Sequence, residues 1–151
     1  MKNLVKQILT TEDLSSIAAV IREAEKTTAG EIRVSIRQKR KWAERTRTLE
    51  EIARKEFHLL GMTKTKDRMG ILIFLLLEDK KFYILADEGI HTKVEHGTWD
   101  RIANEMSSHF SQKNFRLGIV HGVQAVGGEL SKFFPRKADD TNELSNDVRV
   151  R

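Results

Sequence analysis

Cysteine is absent from the 151 residues. Disulfides, thiolate zinc sites and cysteine nucleophiles are therefore excluded, and nothing in the chain requires an oxidising compartment. Long apolar runs are also missing: the longest, Ile71 to Leu77, has seven residues, against the roughly 20 that span a bilayer. Met1 to Leu9 holds no apolar stretch long enough for a signal peptide. The reading is a soluble, cytoplasmic protein with no transmembrane segment. A P-loop, a dinucleotide glycine fingerprint and a nucleophile elbow are all lacking, as are internal repeats and low-complexity segments. The one proline, Pro135, stands where the last helical pattern stops.

What is present is one domain's worth of chain with a formal charge of +5 and a pI near 9.6, a balance that favours anionic partners. The stretch from Asp67 to Ile90 organises the rest. Seven uninterrupted apolar residues suit a strand covered on both faces, in the middle of a sheet. Glu78, Asp79, Lys80 and Lys81 then form a polar turn before a second apolar run, Phe82 to Ala86, so the unit reads as a hairpin.

Before it, Thr10 and Asp13 make a capping-box-like start for a helix over about residues 12 to 26. Glu31 to Arg37 then alternates, with Ile32, Val34 and Ile36 on one face and Glu31, Arg33, Ser35 and Arg37 on the other. One polar face places this strand nearer an edge. A basic segment over residues 37 to 47 follows, with Trp42 as its aromatic, and Leu49, Ile52, Ala53, Phe57 and Leu60 mark a second helix that Gly61 ends. A strand, helix and strand in succession imply a right-handed crossover and parallel strands. After the hairpin, Trp99, Ile102, Ala103, Met106 and Phe110 make a helix that Thr98 can cap, and another runs from about Phe115 to Phe133. From Arg136 onward the chain has four acids, four bases and almost nothing apolar, which reads as a disordered tail over 136–151 beyond one domain over 1–135.

This topology sorts charge. The start of each parallel strand and the end of the hairpin lie at one end of the sheet, so Glu31, Asp67, Asp87 and Glu88 are expected to converge. Carboxylates and turn carbonyls suit calcium or magnesium, and a bound ion could activate water for phosphoester hydrolysis. Turn capping explains the same residues more simply, since three or four acids fall short of the roughly six to eight oxygens calcium takes, and both readings stay open. At the other end, Arg37, Arg40 and Lys41 are candidates for binding a phosphate or nucleic acid at the carboxyl ends of the parallel strands. No recognisable nucleic-acid module accompanies them, so only weak, non-specific nucleic-acid binding is expected. His91 and His96 bracket the loop after the hairpin and could serve as ligands or a base.

The order of these pieces resembles a family. An alternating strand after Gly30, Asp67-Arg68-Met69-Gly70 leading into the apolar run, the EDKK hairpin, the turn at Asp87-Glu88-Gly89-Ile90 and two closing helices are similar to the TPM domain, found in thylakoid-lumen phosphatase-like proteins and many bacterial proteins. LGM at Leu60 to Met62, Trp99, FFP at Phe133 to Pro135 and NEL at Asn142 to Leu144 resemble its compact bacterial branch, which lacks a membrane anchor. The resemblance implies a three-layer α/β/α sandwich with a mixed sheet and, for some members, acid phosphatase activity and calcium binding. Asp67 and Gly70 match the acid and the glycine of the family's Asn-Gly step, with Met69 where asparagine is common, and Gly89 retains one glycine of its Gly-Tyr-Gly turn. The function expected is a binding or accessory module with a protein or phosphoester partner, and the alternative is a metal-assisted phosphatase.

Overall fold

The computed structural model describes residues 3–64, 68–136 and 146–151. Among these residues six α-helices and four strands follow one another as α1 (Leu4–Ile8), α2 (Thr11–Glu25), β1 (Glu31–Arg37), α3 (Leu49–Leu59), β2 (Gly70–Leu76), β3 (Lys81–Ala86), α4 (Glu88–His91), α5 (Thr98–Ser111), α6 (Phe115–Phe133) and β4 (Arg149–Val150). The sheet order is β3-β2-β1-β4, with β1 parallel to β2 and β4 and β3 antiparallel to β2. The fold is therefore mixed α/β, as the sequence implies. Every residue of β2 is buried, as a central apolar strand requires.

Two apolar layers cover the sheet. Ile32, Val34, Ile36, Ile71 and Ile73 pack with Ile17 and Ile21 of α2, Met106 of α5, and Val123 and Leu130 of α6. On the opposite face Leu72, Phe74, Leu76 and Leu85 pack with Ile52, Ala53 and Phe57 of α3 and with Met62. Caps set the helix starts. Thr10 and Asp13 form a full capping box on α2, and Thr48 and Glu51 form another on α3. Gly97, at φ +89°, precedes the first turn of α5, so Thr98 lies inside that helix instead of capping it. Asn3 caps the short α1, which the sequence does not announce.

Two expectations are corrected. β1 is interior, not near an edge, and all seven of its residues are buried, including the polar face. Of the tail read as disordered from Arg136 onward, residues 137–145 lie outside the described residues, but its end is a strand: Arg149 and Val150 pair with Ser35 and Ile36, and the Arg151 N–H donates to the Ile36 carbonyl at 3.0 Å. Apolar content missed this strand because main-chain hydrogen bonds and arginine side chains hold it.

Candidate functional site

The polar face of β1 is where charge is concentrated. Arg33 reaches Glu25 at 2.6 Å and Glu31 at 2.7 Å, and all three side chains are almost fully buried. Arg37 reaches Glu44 at 2.6 Å and Glu56 at 3.3 Å, and its guanidinium lies 5.5 Å from the centre of the Phe74 ring. Glu56, on α3, has no exposed surface and also takes the Ser35 hydroxyl, Arg151, and Arg149 at 3.4 Å. Burial alone would raise its carboxyl, but the Ser35 and Arg151 hydrogen bonds, with the charges of Arg151 and Arg37, hold it below the ordinary carboxylate value. The same balance lowers Glu44, whose partners are the Lys41 amide and Arg37. At Glu25 the order reverses: burial outweighs Arg33 and the Ile32 amide, and the carboxyl is raised.

The structure thus takes Arg37 out of the proposed anion site, because its charge is spent on two buried carboxylates. Arg40 is bound to Asp79 at 2.6 Å and donates to the carbonyls of Glu44 and Arg47, which ties down the loop. Lys41 remains exposed, and beside it Trp42 is 78% exposed with the Arg45 guanidinium 3.7 Å from its ring centre.

At the acidic end, Glu31 pairs with Gly70, and the Asp87 amide donates to the Gly70 carbonyl, so the three form one row across the sheet. Two strand spacings, roughly 10 Å, separate the outer two. A Cβ at Gly70 would lie 3.3 Å from the Met62 methyl and 3.4 Å from the Phe57 ring, so apolar atoms fill the space above the middle of the row. Each outer carboxylate has its own cation: Glu31 holds Arg33, and Asp87 takes Arg68 at 3.0 Å while capping α4 through the Glu88 amide. Glu88 is exposed, and Asp67 lies outside the described residues. Among the described residues no three His, Cys, Asp or Glu side chains are grouped to hold a metal ion.

A pronounced concavity lies elsewhere. A cleft of about 940 Å³ has β3 as its floor. Glu50, Arg54, Phe57 and His58 of α3 form one wall, and the segment from Glu88 to Ala103 forms the other, including His91, His96 and Trp99. Tyr83, on the floor, donates to Glu50 at 2.6 Å, and burial together with that bond pushes its phenol up to about 12. Sequence reasoning placed His91 and His96 near a loop but missed the cleft. The available signal was topological: a hairpin's second strand with no later apolar strand to cover it must form an edge.

A model of the TPM domain matches residues 4–129. The chain belongs to the TPM domain family. Among solved structures, the BA42 protein from the psychrophilic bacterium Bizionia argentinensis is 38% identical with a TM-score of 0.85, over 95% of each chain. The N-terminal domain of a P. gingivalis protein is 22% identical with a TM-score of 0.68, over 84% of this chain and 79% of that one. The N-terminal domain of the cg2496 protein from Corynebacterium glutamicum is 14% identical with a TM-score of 0.60, over 81% and 74%. The last two establish likeness of fold alone. No curated protein matches this TPM domain. Among the described residues no helix is long and apolar enough to cross a membrane.

Proposed function

We propose that this TPM domain is a binding module that works through the cleft over β3. The observation that carries the reading is the cleft itself, which exposes part of a strand edge and three histidines beside an aromatic wall. Such concavities are the usual seat of recognition. The charges elsewhere are largely consumed in internal pairs: Arg33 and Arg37 hold β1 to its surroundings, and Arg68 holds Asp87.

A metal-assisted phosphatase is the second reading, favoured by one observation: Glu31 and Asp87 do lie in a single row at one end of the sheet. On that reading Glu31, Asp67, Asp87 and Glu88 would hold a calcium or magnesium ion, which would supply Lewis-acid chemistry, and Glu31 and Asp87 would first have to leave Arg33 and Arg68.

Two measurements separate them. Titration with a mixed set of short random peptides should shift the amides of Tyr83, Ile84, His91 and Trp99 and leave that of Trp42 unmoved. Hydrolysis of p-nitrophenyl phosphate, with calcium or magnesium in the millimolar range where weak sites fill, should stay at background. A silent cleft, together with turnover that Asp67→Asn or Asp87→Asn removes, would install the hydrolase in place of the binding module.

A further inference from the structure

We infer that the cleft takes an extended, cationic segment of a partner protein, which adds to β3 as a fifth strand. This rests on the binding reading and names the partner's chemistry.

The phase of the hydrogen bonds comes first. The Leu77 amide donates to the Arg37 carbonyl and the Met69 carbonyl accepts from Glu31, so odd-numbered residues of β2 face β1 and even-numbered ones face β3. The Asp87 amide donates to Gly70, in agreement. In an antiparallel pair the bonded residues alternate. Lys81, Tyr83 and Leu85 therefore turn their main-chain groups to β2, while Phe82, Ile84 and Ala86 turn theirs outward into the cleft. Among the described residues nothing bonds to those outward groups. Three N–H and three C=O groups are available over a six-residue strand about 20 Å long.

Beyond Lys81 the strand itself carries none of the usual sequence protections. Exposed edges are commonly blunted by charge, proline or a bulge, yet Phe82 to Ala86 contains no charge and no proline and pairs with β2 in unbroken register. Lys80 and Lys81 guard only its start. Protection comes from the walls, which recess the edge between α3 and the Glu88 to Ala103 segment. A second copy of this chain would have to bring its own β3 out from between the same two walls, so a bare extended segment is the better fit. Strand addition of this kind takes its affinity from the main chain and its selectivity from alternate side chains.

Charge selects among such segments. The chain as a whole is +5, but exposed Glu50, Glu88, Glu95 and Asp100 line the cleft, and both arginines of its lining are already held, Arg68 by Asp87 and Arg54 by Glu50 at 3.7 Å. Glu88, Glu95 and Asp100 make no ion pair among the described residues. An acidic recess in a basic protein favours a cationic strand and repels an acidic one.

The probe is an alternating lysine–threonine peptide of about ten residues, enough to span one strand, followed by backbone NMR and hydrogen exchange. Amides of Phe82, Ile84 and Ala86 should shift and exchange more slowly, since each acquires an acceptor. The same peptide N-methylated at alternate residues should lose the effect. A glutamate–threonine peptide should bind at least about tenfold more weakly, and Glu95→Lys with Asp100→Lys should weaken the lysine peptide about fivefold or more. Equal binding of the N-methylated peptide, or shifts centred on Trp42 instead of β3, would overturn the inference. If the lysine peptide is inert while mixed peptides still move cleft amides, this inference falls and the binding module stands. If no peptide moves them, both fall.

Discussion

Glu56 has no contact with solvent, yet it is the acceptor on which Ser35, Arg37, Arg149 and Arg151 meet. Removing one member of a buried charge cluster leaves the others desolvated without compensation, which typically costs about 3–5 kcal/mol. Glu56→Ala should lose stability on that order in urea unfolding. The pH dependence has a definite sign. The folded carboxyl titrates below its unfolded value, so its contribution is present above the ordinary carboxylate pKa and is lost as pH falls through the depressed one. Glu25 acts in the opposite sense, because its folded value is raised: its contribution is present at low pH and fades as pH rises through that raised value. In Glu56→Gln the decline of stability below about pH 4 should therefore be shallower than in the parent, whereas in Glu25→Gln the change falls above about pH 4, where the loss of stability with rising pH should be smaller than in the parent. Unchanged slopes in both windows would show that these carboxylates do not govern the pH dependence of unfolding.

At the scale of elements, apolar runs and caps were legible wherever burial is apolar. α6 runs over the residues its pattern predicts, and β2 is central as its uninterrupted run requires. β1 defeated the same logic. Glu31, Arg33, Ser35 and Arg37 alternate like a solvated face, but the carboxylates that satisfy them come from α2, the loop after β1, and α3. No local pattern can announce partners brought together by the fold. The α6 glycines show the same divide between what spacing tells and what contact decides. At Gly128 an added methyl would meet nothing within 4 Å, whereas at Gly118 it would fall 2.5 Å from the Phe110 ring, which packs edge-on against Phe82 at 5.2 Å. Gly128→Ala should raise stability by about 0.5–1 kcal/mol through helix propensity. Gly118→Ala should lower it by about 1–3 kcal/mol, the usual overpacking cost, less that gain. Equal melting shifts for the two would mean that Phe110 moves aside freely.

For the whole molecule, the two edges of the sheet are treated differently. The side of the sheet beyond β1 is closed by the chain itself: Glu25 takes the Ile32 amide, and β4 and the terminal residue take over beyond it, with the Gln38 amide donating to the Arg151 carbonyl at 3.0 Å. The β3 edge is left open inside the cleft. Charge follows the same division, since Arg149 and Arg151 bring cations to Glu56 at the closed edge while carboxylates line the open one. Deleting residues 146–151 should therefore act on one edge only. At least two main-chain hydrogen bonds at about 1 kcal/mol each, together with the loss of two cations from a buried glutamate, predict a fall in stability of about 2 kcal/mol or more. Exchange of the Gln38 amide should quicken, because its acceptor has gone. Amides of Phe82 to Ala86 should keep their rates and their response to peptides, because β2 and β1 stand between the two edges and their apolar layers remain intact. A deletion that silences the cleft as well would show that the terminal strand sets the geometry of the far edge, and that the sheet responds as one unit.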